Sequence, residues 1–208
     1  MSPTHTGALL LKSNGALSTP DALRSALARL ADECLPLAAG VASHAALEGA
    51  EAYLYLYTRE FGALTSAVAD RVVGRARSEP VFAGLTLAAV RLAPLFDCAG
   101  ASRDETPAFH YVVETDVDDE ANDADLNAWY DTEHMPGLAA CPGSVRARRF
   151  RNSDGSPRYH ACYDLVSKET LGSKPWLAVR HSAWSDRVRP HFANTKRTMF
   201  RRLFHVEL

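Results

Sequence analysis

The sequence of 208 residues has little cysteine, and its cysteines do not form recognisable pairs. Four are present, and no two of them make a Cys-x-x-Cys motif. Widely spaced cysteines in a chain of this length are typical of reduced, mostly structural residues in a cytosolic protein. We therefore expect a cytoplasmic protein.

Long apolar runs and a strong charge of one sign are also missing. No stretch of about 18 apolar residues occurs, which is the length needed to cross a bilayer. Residues 1–6 show no basic region followed by an apolar core, so we expect no secretory signal. The formal net charge is only −2, and no basic face stands out. These features predict neither a membrane nor a nucleic-acid partner.

Several common catalytic motifs are absent as well. There is no glycine-rich phosphate loop and no Gly-x-Ser-x-Gly elbow, which argues against classical nucleotide binding and serine hydrolysis. His110, His134 and His160 could converge from two strands and a helix, but no close histidine spacing supports a metal site. We expect no metal and no cofactor.

What is present is a repeated order of strands and helices. In the first hundred residues, strands are predicted at 8–12, 41–44, 52–58 and 85–95, and helices at 20–34 and 60–77. Small polar residues at 97–106 indicate a linker. Strands then follow at 109–114, 145–151, 159–165 and 198–206, with a helix after 122, a hairpin turn at 152–157 and partly helical residues at 168–192. Each half therefore reads βαββαβ.

A shift of 100 residues superimposes parts of the two halves. It places Glu33 on Glu133 and Pro36 on Pro136. We predict an α+β fold of two tandem ferredoxin-like repeats, residues 1–100 and 107–208, whose antiparallel sheets pack as an α+β barrel. The alternative is two unrelated α+β domains.

Residues 127–137, Asn-Ala-Trp-Tyr-Asp-Thr-Glu-His-Met-Pro-Gly, concentrate the reactive side chains. On an α-helix, Trp129, Tyr130, Glu133 and His134 share one stripe. Pro136 and the glycine after it should end the helix, so that His134 lies in the last turn, where the carbonyl dipoles favour an imidazolium. His134 is the candidate catalytic acid/base, because imidazole transfers protons near neutral pH.

The candidate substrate-binding residues come from the same helix and the neighbouring strands: Trp129, Tyr130, Arg146, Arg148, Tyr111, His110 and Tyr159. Arg146 and Arg148 share one face of their strand, and arginine suits bidentate binding of an anion. Two structural alternatives remain open. The arginines could pair with the acidic run 114–125, and Trp129 and Tyr130 could simply be core. For Glu133 we favour a structural role, as a partner of an arginine on the next strand, and for Asp131 exposure to solvent.

The pattern Trp129-Tyr-Asp-x-x-His-x-Pro, followed by Cys141-Pro-Gly and an arginine-rich strand, resembles the EthD-like branch of the dimeric α+β barrel superfamily. The resemblance covers residues 107–208. It implies a small-molecule cavity between sheet and helices. It specifies the chemistry poorly, because members include cofactor-free monooxygenases, lactone isomerases, dehydratases and haem enzymes. Such proteins usually pair two units across a dimer, and this chain could also form a homodimer.

The leading hypothesis is a cofactor-independent enzyme acting on a small apolar or aromatic molecule. His134 would move a proton in an isomerase, dehydratase or lyase reaction. One alternative is a cofactor-free monooxygenase. The other, from a different class, is a non-catalytic small-molecule-binding or stress-response barrel, in which His134 is structural.

Overall fold

The structure is a computed structural model that describes residues 6–208. Its strands are β1 (Gly7–Asn14), β2 (Ala38–Ala46), β3 (Glu51–Thr58), β4 (Thr86–Ala99), β5 (Phe109–Val117), β6 (Ser144–Asn152), β7 (Tyr159–Leu165) and β8 (Phe192–Glu207). Its α-helices are α1 (Pro20–Cys34), α2 (Ser66–Arg77), α3 (Asp123–Trp129), α4 (Met135–Ala139), α5 (Lys174–Arg180) and α6 (Ala183–Val188), with a π-helix at Tyr130–His134 between α3 and α4.

The hydrogen-bonded order of the strands is β1-β3-β2-β8-β5-β7-β6-β4, the order of a closed antiparallel barrel. The α+β barrel expected from the sequence is thus confirmed, and each half follows the predicted βαββαβ order. That the halves are two ferredoxin-like repeats remains a prediction. The chain forms two compact units: the residues up to Pro94 with Phe200–Leu208, and Leu95–Met199. We call them the first and second units.

In the first unit, β1 pairs with β3 and β4, and β2 pairs with β3 and the end of β8. Helix α1 begins as the sequence predicted, with Pro20 in its first turn and the Thr19 hydroxyl accepting from the Ala22 N–H. Its stripe of Leu23, Leu27 and Leu30 is buried in the apolar core of this unit.

In the second unit, β7 lies between β5 and β6 and pairs with both in antiparallel register. Its residues alternate between the two faces of the sheet. Tyr159, Ala161, Tyr163 and Leu165 belong to one buried core with residues of α3 and α4. A strand with apolar side chains at every second position buries one face in this manner.

The turn between β6 and β7 confirms the predicted hairpin. The Asn152 side chain accepts from the Asp154 N–H at 2.8 Å, and its amide donates to the Pro157 carbonyl at 3.0 Å. Gly155 has φ of 147°, a conformation that residues with a Cβ rarely adopt.

Two boundaries differ from the expectation. Helix α2 begins at Ser66 rather than near residue 60, because the Thr65 hydroxyl caps it by accepting from the Val68 N–H. Residues 97–106 are only partly a linker, since β4 continues to Ala99 and the Gly100 N–H donates to the Val145 carbonyl at 2.8 Å. A Cβ at Gly100 would lie 2.0 Å from the Ser144 carbonyl oxygen, so this approach requires glycine.

Among the helices of residues 6–208, none combines the length and the apolar character needed to cross a membrane.

Candidate active site

The π-helix at Tyr130–His134 positions the reactive residues of the second unit. The Met135 N–H donates to the Tyr130 carbonyl, the i to i+5 bond that defines such a turn. Beyond it, α4 runs to Ala139 with Pro136 in its first turn, where no N–H is needed. The expectation that Pro136 and Gly137 end the helix was therefore wrong. Wide turns of this kind occur often at functional sites.

A cavity of about 130 Å³ lies beside this turn, within the second unit. Its aromatic lining comes from β5, α3, the π-helix, β7, α5 and β8: Tyr111, Trp129, Tyr130, Tyr163, Trp176 and Phe192. His134 and the guanidinium groups of Arg180, Arg189 and Arg197 supply its basic lining. The volume is close to the roughly 150 Å³ of an engineered cavity that binds benzene. A single ring therefore fits.

His134 lies in the cavity wall and is only 9% exposed. Its ring stacks on Trp129 with centroids 4.1 Å apart, a contact between residues five apart that the π-helix makes possible. Its buried Nδ1 has no hydrogen-bond partner within residues 6–208. A buried nitrogen without a partner is costly, so the fold holds this imidazole in place at an energetic cost.

The imidazole of His134 is neutral near pH 7. Burial, and then the charges of Arg189 and Arg180, lower its pKa to about 3. The helix-dipole argument predicted the opposite charge state. It failed because the helix continues beyond His134, and because desolvation and two nearby cations outweigh any dipole.

The tyrosine hydroxyls of the aromatic wall stay protonated. Tyr130 packs against Trp129 with centroids 4.5 Å apart, and burial raises its pKa to about 12. Tyr163 donates to the Met135 sulfur at 3.1 Å, and burial raises its pKa as well. The Trp129 Nε1 is buried and has no acceptor among the described residues.

Tyr111 also lines this cavity, as the sequence predicted, and is half-buried. Burial raises the pKa of its hydroxyl, while Arg197, Arg180 and Arg189 oppose that rise. At neutral pH the hydroxyl is protonated and can donate to a ligand.

Three cationic residues of this cavity were missed by the sequence reasoning. Arg180 ends α5, Arg189 follows α6 and Arg197 belongs to β8. Burial, then Arg180 and Arg197, lower the pKa of Arg189, so the three cations repel one another. The available signal was an excess of arginine over acid in residues 180–197.

The two arginines chosen from the sequence lie elsewhere. Arg146 pairs with Asp97, with its Nε 2.7 Å from the carboxylate, and Arg148 pairs with Asp164 at 3.2 Å. Both are held by carboxylates outside the acidic run 114–125, and neither lines the cavity. Salt bridging was the expected alternative, though with other partners.

His110 and Tyr159 are also outside the cavity lining. The His110 Nδ1 lies 2.7 Å from the Asp164 carboxylate. Tyr159 donates to Asp123 at 2.7 Å, and its ring covers the buried guanidinium of Arg149, with the Cζ 4.5 Å from the ring centroid. Of the predicted substrate-binding residues, the structure brings Trp129, Tyr130 and Tyr111 together with His134.

The two carboxylates of the motif have structural partners. Glu133 accepts from the Ser182 hydroxyl, which also caps α6, rather than from an arginine of the next strand. Asp131 is exposed, as the sequence predicted, and lies 3.4 Å from Arg149. In the first unit the matching Glu33 pairs with Arg75 at 3.1 Å.

The cavity is too small for a haem, the group that some proteins of the resembled superfamily hold. Pockets for drug-sized ligands span roughly 300–1,000 Å³, and a macrocycle needs at least that range. The cavity of about 130 Å³ falls well below it.

Comparison with known proteins gives structural matches only. No protein-family model matches the sequence, and no curated protein matches it significantly. A Lactobacillus acidophilus NCFM protein, provisionally assigned as a monooxygenase, has 11% identity and a TM-score of 0.63 over 97% of this chain and 99% of its own. An anthrone oxidase-like protein has 13% identity and a TM-score of 0.59 over 97% of this chain and 93% of its own.

A variant of chlorite dismutase from Candidatus Nitrospira defluvii has 10% identity and a TM-score of 0.61 over 97% of this chain and 93% of its own. At such identities the likeness shows the α+β barrel fold alone.

Proposed function

We propose that this protein is a cofactor-independent enzyme that binds a small aromatic or apolar molecule in the second-unit cavity and moves a proton on it through His134. The reaction would be of the isomerase, dehydratase or lyase type. The observation that carries the proposal is a neutral, largely buried imidazole in the wall of an aromatic cavity.

A neutral imidazole is the form that accepts a proton. His134 would take a proton from a carbon next to a carbonyl, and the electron pair of the C–H bond would pass to the carbonyl oxygen as an enolate. Returning the proton to another carbon gives an isomer, while giving it to a leaving hydroxyl releases water. The same site therefore serves either outcome.

The developing oxyanion has donors nearby. The Tyr111 hydroxyl stays protonated because burial raises its pKa, and Arg180, Arg189 and Arg197 line the same cavity. Donors aimed at a developing charge in a site with little water stabilise a transition state strongly. A negative oxygen would also favour the imidazolium form of His134, which the arginines alone oppose.

Proton exchange in D₂O tests the proposal without knowledge of the natural substrate. Acetophenone and phenylpyruvate, two small enolisable aromatic carbonyls, serve as probes, and NMR follows loss of the α-proton. We expect the wild type to exchange at least one probe faster than buffer, and His134→Gln to lose at least about 100-fold of that rate.

The matched control is His181→Gln, because His181 is exposed and does not line the cavity. It should exchange at the wild-type rate. Equal exchange rates for wild type and His134→Gln would show that His134 does not transfer the proton. Binding of both probes without any exchange above buffer would support the non-catalytic binding role instead.

A cofactor-free monooxygenase is the second candidate. Two solved structures of similar fold are named as a provisional monooxygenase and as anthrone oxidase-like. Here His134 would deprotonate an electron-rich CH₂ group, and the carbanion would reduce dioxygen. One oxygen atom becomes the new carbonyl and the other leaves as water. Oxygen uptake with such a substrate would favour this candidate, whereas proton exchange in air without oxygen uptake favours the first.

A further inference from the structure

Three arginines of the cavity have no acidic partner. Within residues 6–208, the side chains of Arg180, Arg189 and Arg197 make no hydrogen bond and no ion pair, although all three line one cavity. Arg180 and Arg197 are exposed and Arg189 is half-buried, so together they run from the solvent side toward the aromatic wall. No carboxylate is among the residues that line the cavity.

The acids around this cavity are engaged elsewhere. Asp125 holds Arg187 through two contacts of 2.9 and 3.1 Å and accepts from the Trp184 indole. Glu133 accepts from Ser182. The charge of Asp186 raises the pKa of the Arg189 guanidinium less than the charges of Arg180 and Arg197 lower it. The positive charge of the site is therefore not neutralised by the protein.

Uncompensated arginines at the edge of an apolar cavity are suited to an anion with an apolar body. Guanidinium groups bind carboxylates through paired N–H donors, and an aromatic cavity removes a ring from water. The volume of about 130 Å³ accepts one ring, not two.

We propose, resting on the proposed function of the same site, that its ligand is a small aromatic carboxylate whose ring fills the cavity while Arg180, Arg189 and Arg197 hold the carboxylate. The arginines set this specificity. A neutral aromatic molecule of the same shape leaves the guanidinium charges unpaired and binds more weakly.

Isothermal titration calorimetry with benzoate tests the inference, and benzamide is the neutral probe of matched shape. We expect benzoate to bind at least ten times more tightly than benzamide at low salt, with the difference shrinking as salt is added. Acetate supplies the carboxylate without the ring, and it should bind at least tenfold more weakly than benzoate.

Variants separate the arginines from general surface charge. Arg189→Gln and Arg180→Gln should each weaken benzoate binding about tenfold, and Arg189→Lys should retain part of it. Arg187→Gln is the matched control, because Arg187 is paired with Asp125 and does not line the cavity. It should bind like the wild type. Circular dichroism of each variant confirms that the fold is kept.

The two proposals fail in distinguishable ways. Equal affinity for benzoate and benzamide, or an equal loss in Arg187→Gln and Arg189→Gln, would overturn the carboxylate inference and leave proton transfer by His134 standing. Selective benzoate binding that persists in His134→Gln supports the inference even if exchange by His134 is not found. Binding of acetate as tight as that of benzoate would refute the aromatic part.

Discussion

Arg149 is a buried cation held between two aromatic rings. Its Cζ lies 4.3 Å from the Tyr130 centroid and 4.5 Å from that of Tyr159, and its one carboxylate contact is to Asp131. Its Nε and Nη2 have no hydrogen-bond partner in the described chain. Because Tyr130 lines the cavity, Arg149 supports the wall of the site from behind.

Removing that support should destabilise the protein. Arg149→Ala loses two cation–π contacts and leaves a void between the tyrosines, for which we expect a loss of about 3 kcal/mol in the free energy of unfolding. Arg151→Ala, two residues further on the same strand and exposed, should cost under about 0.5 kcal/mol. Urea unfolding measures both, and equal midpoints for the two variants would contradict the role given to Arg149.

For single residues, the sequence predicted the face of a strand on which a side chain lies better than it predicted the contacts of that side chain. Alternation predicted that Arg146 and Arg148 share one face of β6, and Ala147 between them is buried in the helix-facing core. The two-residue alternation along a strand does not indicate which face of the strand borders a cavity. The arginines that line it lie on short helices and a strand far along the chain, where no local pattern links them to His134.

The π-helix shows why the site was only partly predictable at the scale of an element. A helical stripe at 3.6 residues per turn places His134 next to Tyr130, and that contact exists, with centroids 5.5 Å apart. The closer stack of His134 on Trp129 depends on one wide turn. Such a turn is set by packing against the rest of the unit, and no residue preference in the sequence marks it.

Gly137 illustrates the same limit. It was interpreted as a helix stop, yet it lies inside α4, where a Cβ would meet the Val179 side chain of α5 at 2.9 Å. Gly137→Ala should therefore lower the free energy of unfolding by about 1–2 kcal/mol through overpacking.

The matched variant is Gly74→Ala in α2, where nothing lies within 4 Å of the added Cβ and the residue is exposed. There alanine should stabilise by about 0.5–1 kcal/mol, because it restricts the unfolded chain more than glycine does. Chemical denaturation gives both values. A stabilising Gly137→Ala would mean that α4 and α5 pack more loosely than described.

For the molecule as a whole, the order of elements was predictable because each strand and helix carries its own periodicity. Residues 159–165 were predicted as a strand and form β7. The division into compact units was less accessible, since Phe200–Leu208 belongs with the first unit. That assignment depends on β8 pairing with β2, a contact between residues some 160 positions apart.

The free energy of unfolding should depend on pH through the ionisation of His134. Its pKa is about 3 in the folded protein and near 6.5 when unfolded, so the unfolded chain binds the proton first as pH falls. The stabilising effect of a neutral His134 is complete above pH 6.5 and is lost toward pH 3. The rings of Trp129 and Tyr130 contact the imidazole, and the charges of Arg189 and Arg180 act on it.

The comparison of wild type with His134→Gln isolates this effect from the carboxylates. Between pH 7 and pH 4 the wild type should lose about 3 kcal/mol more than the variant, measured by urea unfolding at each pH. His181→Gln should follow the wild type. Parallel curves for wild type and His134→Gln would show that the imidazole is not desolvated as described.

The placement of tryptophan gives the site an optical label of its own. Of the three indoles in the chain, Trp129 and Trp176 line the cavity, while Trp184 donates to Asp125 away from it. Trp129 also stacks directly on His134, whose imidazolium form, unlike the neutral ring, quenches indole emission. Filling of the cavity and protonation of its histidine are therefore both coupled to the intrinsic fluorescence of the unmodified protein.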